Sequence, residues 1–210
     1  MPTQSRQRES LRNALIEAAA RLIATEGASA LTLRRVADEV GTSTMAIYTA
    51  FGGMPELRRS VRHEGFARLT EKLEGVTQTE DPVADLFLLG GAYYVSAVAN
   101  PHLYRVTFME QPLDADDAEL GSEAHRVLLE SIQRCLDAGR FKSADPHALA
   151  TEFWALGHGV IALELAQLIS SEEARDCLEG ACSKLFRGYG DEQQAIERSL
   201  KSARQRRSEV

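Results

Sequence analysis

Residues 33–51 read LRRVADEVGTSTMAIYTAF. Val36, Ala37 and Val40 recur at helical spacing, Gly41 stops that helix, and Ser43 or Thr42 caps a second short helix carrying Tyr48 and Phe51. Two short helices meeting at a wide angle need a small residue where they approach, a turn residue that tolerates positive φ, and apolar anchors on both inner faces. Ala37, Gly41 and the set Val36, Val40, Ile47 and Phe51 supply these. The stretch is therefore expected to form a helix-turn-helix, with Ala37 and Gly41 buried at the crossing and the second helix free to enter a major groove.

Outward from this motif the chain reads as helices throughout. Leu11, Leu15, Ala18, Ala19, Leu22 and Ile23 predict a first helix over about residues 8–25, ended by Gly27, and Thr32 caps the second. Gly52 and Gly53 break the third helix, and Pro55 opens a fourth that runs into GVTQTED, residues 75–81. Asp81-Pro82 and Asn100-Pro101 start the fifth and sixth helices, and QPLDADDAELGS, residues 111–122, reads as an acidic loop. A seventh helix runs from Ser122 to Gly139. Asp145-Pro146 opens an eighth that extends through Ile169, and Ser170-Ser171-Glu172-Glu173 reads as a capping box for a ninth. KSARQRRSEV, residues 201–210, reads as a polar tail. The expected fold is all-α with about nine helices: a three-helix head over residues 1–53 and a helical ligand-binding and dimerisation bundle over residues 54–210.

Charge divides the same way. The net charge is -7, which disfavours contact with phosphates, but residues 1–62 hold 9 Arg or Lys against 6 Asp or Glu, and the remainder holds 15 against 25. A basic head on an acidic body suits nucleic acid at the N-terminal end. Cys135, Cys177 and Cys182 are an odd count without CxxC spacing, which predicts reduced packing residues rather than a disulfide framework or zinc site. No apolar run long enough to span a bilayer and no signal-peptide core are read, so the expectation is a cytoplasmic protein without a membrane partner.

Residues 8–62 resemble the head of the TetR family of repressors: a first helix ending in ATEG, then LTLRRVADEVG, STMAIYTAF and PELRRSV. FWALGHGVIALEL, residues 153–165, resembles the Trp-x-x-x-His-Gly signature of one C-terminal subclass. The resemblance implies a ligand-responsive regulator, released from a two-fold operator in double-stranded DNA by a small apolar or amphiphilic effector. It places Thr32 and Tyr48 on phosphates, and Thr42, Ser43, Thr44, Met45, Ala46 and Thr49 on the recognition surface. Arg6, Arg8, Arg34 and Arg35 are candidate phosphate ligands beside them. The chain departs from many relatives at Met54, Ala50 and Thr42, where Lys, His or Tyr, and an apolar residue are common. Gly52 and Gly53 are candidates to compensate through backbone N–H groups at the start of the fourth helix. With no Arg, Lys, Asn or Gln in the recognition helix, base reading is expected to lean on hydroxyls and on thymine methyl contacts.

In the body, Phe87, Tyr93, Tyr94, Tyr104, Phe108, Met109, Phe153 and Trp154, with His125 and His158, are candidates for an effector pocket. For each aromatic taken alone, core packing is the default reading. Leu156, Val160, Leu163 and Gln167 on the eighth helix, with Leu178, Cys182, Leu185 and Phe186 on the ninth, are candidates for a homodimer interface, which the resemblance favours over an internal core. No cofactor or metal is implied: paired Glu-x-x-His, HExxH, GxSxG and GxxxxGK[ST] patterns are absent, which argues against an enzyme. The competing expectation is a helical ligand-binding scaffold whose head has lost DNA affinity.

Overall fold

The computed structural model describes residues 4–109, 119, 121–142 and 145–208. Among them are ten α-helices and no strand: α1 (Gln4–Glu26), α2 (Leu33–Val40), α3 (Thr44–Phe51), α4 (Met54–Glu74), α5 (Pro82–Ala99), α6 (Pro101–Phe108), α7 (Ser122–Asp137), α8 (Pro146–Leu165), α9 (Ser171–Gly188) and α10 (Gln193–Ser208). Nearly all of the acidic loop read from the sequence lies outside the described residues. The chain forms two compact units, one of residues 1–68 and 100–121, the other of residues 69–99 and 122–210. Helix α4 thus contributes its first three quarters to the first unit and its last turns to the second.

The core of the first unit gathers Leu15, Ile16 and the Ala18–Ala20 run of α1, Val36 and Ala37 of α2, Ile47 and Phe51 of α3, and Leu57 and Val61 of α4. Leu103 and Val106 of α6 complete it, and the Arg105 guanidinium donates to the Ala24 carbonyl. A head bounded at residue 53 leaves out α6 and most of α4, because their apolar residues carry no local mark of the partner they pack on. The fit between α4 and α6 is close: a Cβ on Gly65 would lie 1.9 Å from Thr107 Oγ1.

In the second unit, Phe186 of α9 is fully buried and makes ring contacts with Phe87, Phe141, Phe153 and Tyr189. Helix α5 runs through this core: its 18 residues, of mean hydropathy 1.4, are long and apolar enough to cross a membrane by length and composition, but 67% of it is buried inside the protein. This corrects the expectation that no such run exists. Cys135 and Cys182 are buried and Cys177 is exposed, and burial pushes both inner thiols up to about 12.

Two carboxylates tie α10 to this unit. Asp85, 3% exposed, accepts from the Thr79 N–H at 2.7 Å, the Thr79 hydroxyl at 2.9 Å, Arg134 at 2.9 Å and Arg206 of α10 at 2.7 Å. Burial raises its pKa, but these donors outweigh it and hold the carboxyl below its usual range. Asp81 accepts from Ser199 of α10 and from Arg140, which also forks onto Asp191 at 2.7 and 2.8 Å. The expected polar tail is therefore the second half of a helix, seated by Ile196, Ser199 and Ala203. Helix α8 stops at Leu165 rather than Ile169, because Gln167 turns to φ 59 and the Leu168 N–H closes on the Leu163 carbonyl.

Replacing Asp85 removes the buried acceptor shared by Arg134, Arg206 and the Thr79 N–H. Asp85→Ala is expected to cost about 3 kcal/mol, with urea denaturation of the variant beside the parent chain as the measure; a loss under ~0.5 kcal/mol would contradict a structural role for this cluster.

Candidate nucleic-acid interface

The turn from α2 to α3 is built by capping. Thr32 lies in extended backbone and its hydroxyl accepts from the Arg35 N–H. At the other end Gly41 adopts φ 70, where its N–H reaches the Ala37 and Asp38 carbonyls and the Thr42 N–H reaches Ala37 at 2.9 Å. A Cβ on Gly41 would meet nothing within 4 Å, and the residue is exposed. The glycine is needed for its dihedral, not for close packing, and only Ala37 of the expected pair is buried. Ser43 then caps α3 by accepting from the Ala46 N–H at 3.2 Å.

This geometry splits α3 into two faces. Ile47 and Phe51 are buried, whereas Met45 is 69% and Tyr48 50% exposed. Ser43, Thr44 and Thr49 are also exposed, and Thr42 and Ala46 are half-buried. The Thr49 hydroxyl donates to the Met45 carbonyl, which keeps its lone pairs outward as acceptors. Arg12 of α1 lies 5.2 Å over the Phe51 ring and donates to Ser60 Oγ. It steadies the C-terminal end of α3 from outside the motif, a role the sequence pattern did not suggest.

The candidate phosphate ligands differ in availability. Arg6, Arg8, Thr32 and Arg34 are exposed, with Arg34 in a loose 3.9 Å pair with Asp38. Arg35 is held instead by both oxygens of Glu26 in α1, one bond measuring 2.7 Å. This pair is itself exposed, 43% for the Arg35 side chain and 44% for Glu26, so Glu26 competes with a phosphate for Arg35 without removing it as a ligand. The proposed compensation also meets a limit, since the Gly52 N–H is spent on the Tyr48 carbonyl at 2.8 Å and Gly53 is buried. Met54 packs against the head core.

The aromatic candidates do not form one group. Tyr104 and Phe108 belong to the first unit, where Phe108 packs edge-on against Phe66 and beside Tyr104; Met109 is exposed. In the second unit Phe153 stacks on Phe186 within the core. Phe87 and Tyr94 border a cavity of about 310 Å³ between α5, α9 and α10. Tyr93, His158, Trp154 and His125 form a separate row: Tyr93 Oη lies 3.0 Å from His158 Nε2, and Trp154 packs beside both histidines. Gly157 leaves room for the Tyr93 ring, 3.4 Å from where its Cβ would be, whereas Gly159 faces open space.

Four of the interface candidates are core residues of their own chain: Val160, Leu178, Cys182 and Phe186 are buried, and this corrects their assignment to a partner surface. Periodicity alone does not separate an inward apolar face from a subunit contact. Leu156 and Leu185 are half-buried, and Leu163 and Gln167 are exposed. The outward stripe on α8 runs through Ala155, Gly159, Ala162 and Leu163 and is continued by Ala166 at the cap.

A helix presented on a capped turn, with apolar anchors beneath and hydroxyl and methyl groups above, defines a helix-turn-helix regulator. Residues 15–61 match the model of bacterial regulatory proteins of the tetR family, and residues 86–185 match that of the tetracyclin repressor-like C-terminal domain. The chain belongs to the TetR family of transcriptional regulators, whose members are DNA-binding proteins rather than enzymes. It is 27% identical over 154 residues to an uncharacterized HTH-type transcriptional regulator of Mycobacterium tuberculosis, covering 73% of this chain and 70% of that protein. Its fold is shared with a tetR-family regulatory protein from Rhodococcus (TM-score 0.72, 20% identity, 87% of this chain and 98% of that one) and with PfmR from Thermus thermophilus (0.69, 17%, 82% and 97%). RolR, solved with resorcinol bound, is also similar (0.58, 18%, 93% and 96%).

Burial takes the His158 imidazole from 6.5 down to about 4. The folded chain therefore refuses a proton that the unfolded chain accepts, so stability is full above pH 6.5 and falls as the pH drops toward 4. Over that window the parent is expected to lose on the order of 3 kcal/mol more than His158→Gln. Denaturant titrations at both ends would show it, and equal losses would remove His158 as the sensor.

Proposed function

We propose that the chain represses transcription as a homodimer, each copy laying α3 in a major groove of a two-fold operator, and that a small molecule bound by the second unit releases it. The observation that carries this reading is the outward face of α3, where Thr44, Met45, Tyr48 and Thr49 stand exposed over the buried Ile47 and Phe51. Thr42, Ser43 and Ala46 border that face, with Thr32 and Tyr48 in the role of phosphate ligands. The sequence TMAIYTAF contains no Arg, Lys, Asn or Gln, so recognition rests on hydroxyls and on methyl contacts with thymine, and A·T pairs dominate the half-site. Arg6, Arg8 and Arg34, repeated in the second copy, supply the phosphate attraction, which predicts binding that weakens steeply with salt.

One short helix reads too few bases for specificity, and two related copies solve this. The stripe of Ala155, Gly159, Ala162, Leu163 and Ala166 supports α8 as the pairing helix, since small residues let backbones approach closely. RolR, similar in fold and solved with resorcinol bound, supports a small-molecule response. Helix α4 supplies the route outward, because its residues belong to both compact units.

The competing scaffold reading draws on the same charges: Arg35 is paired with Glu26 and Arg34 faces Asp38. Gel shifts with the DNA upstream of the chain's own coding sequence, at two salt concentrations, separate the two. Specific binding is expected at low salt, with Tyr48→Ala weaker by about tenfold and Glu26→Gln, which opens the fork on Arg35, tighter and more salt-sensitive by about one phosphate contact per subunit. Absence of specific binding at low salt favours the scaffold. For the dimer, Gly159→Arg is expected to shift sedimentation from dimer to monomer and to weaken operator binding by more than about tenfold. A variant that stays dimeric would move the interface elsewhere.

A further inference from the structure

The cavity between α5, α9 and α10 has a volume of about 310 Å³, within the range of small-molecule sites. Phe87, Leu178 and Cys182 give it an apolar floor, and Arg175 and Arg207 stand among its walls. Two consecutive glycines, Gly90 and Gly91, lie in the middle of α5 along its edge, a costly choice in a helix. Gly90 makes room for the Phe153 ring and Gly91 for the Arg207 guanidinium, whose terminal nitrogen would lie 3.2 Å from a Cβ there.

The polar groups of this cavity point to an anion. Glu179, the acid in its wall, already has both oxygens engaged, one by Arg204 and the other by Arg207 at 3.2 Å. The Tyr94 hydroxyl is buried and makes no hydrogen bond of good geometry, with Glu164 and Arg175 as the hydrogen-bonding side chains beside it. Burial first, and the Glu164 carboxylate second, push its pKa up, so the hydroxyl keeps its proton and remains a donor. Of the charged groups that line it, Arg175 and Arg207 against Glu179 leave one net positive charge, which suits a monoanion and not a dianion.

We propose that this cavity binds a compact apolar monocarboxylate, with its head held by Arg175, Arg207 and the Tyr94 hydroxyl and its body laid on Phe87, Leu178 and Cys182. As a binding site it stands on its own geometry; as the effector site it rests on the ligand response proposed above.

Calorimetry on the full chain with naphthaleneacetate and its neutral counterpart naphthaleneacetamide tests the chemistry. One site is expected for the acid, with the amide weaker by about tenfold or more. Arg175→Ala should weaken the acid by about tenfold and leave the amide unchanged. Val95, 54% exposed at the cavity edge, tolerates enlargement, and Val95→Trp should block both compounds. Equal affinity for acid and amide, no binding of either, or binding indifferent to both substitutions would overturn the site. A gel shift with the same acid is read separately: loss of the DNA complex supports the effector role, and an acid that binds by calorimetry yet leaves the operator occupied overturns that role while the site stands.

Discussion

The Ala37 carbonyl at the end of α2 receives the N–H groups of Gly41 and Thr42, and the direction of α3 depends on that closure. A residue with a side chain resists φ 70; without that dihedral the chain would leave α2 along another path and Ser43 would not arrive in extended backbone to cap the next helix. Ile47 and Phe51 would then lose the pocket formed by Val36, Ala37 and the alanine run of α1. Exposure of Thr44, Met45 and Tyr48 is the complement of that burial. The exposed face of α3 therefore follows from the dihedral of one glycine in the turn before it.

Much of this was legible in the sequence because it is local. Caps at Thr32, Ser43, Asp145 and Ser170 each act within three residues, and Ile47 and Phe51 mark the inner face of α3 by spacing alone. What escaped depends on partners distant along the chain. Nothing near Leu103 and Val106 indicates that they pack with α1, and the polar residues around Ile196 and Ala203 hide a seam sealed by Asp85 and Asp81, more than a hundred residues earlier. Arg35 reads as an open cation until the fold brings Glu26 beside it. Val160, Leu178, Cys182 and Phe186 show why helical periodicity identifies an apolar face without saying what covers it.

The arginines explain how an acidic chain stays compact. Arg134, Arg140 and Arg206 each bind a carboxylate and, in two cases, a backbone carbonyl of the segment before α5. Much of the charge in the second unit is thus matched pair by pair, with geometry fixed by the planar guanidinium fork. The same device at Arg35 lowers the positive potential beside α3. An arginine count overstates attraction to phosphates wherever a carboxylate of the same chain comes within reach.

The three thiols differ sharply in reactivity. Cys135 and Cys182 are buried with their ionisation suppressed, whereas Cys177 faces solvent on α9. Thiolate is the reacting species, so a maleimide dye added to the native chain should attach at one position without any cysteine being removed. That gives the unmodified sequence a built-in attachment point for fluorescence or spin labels, in the compact unit that does not hold the recognition helix.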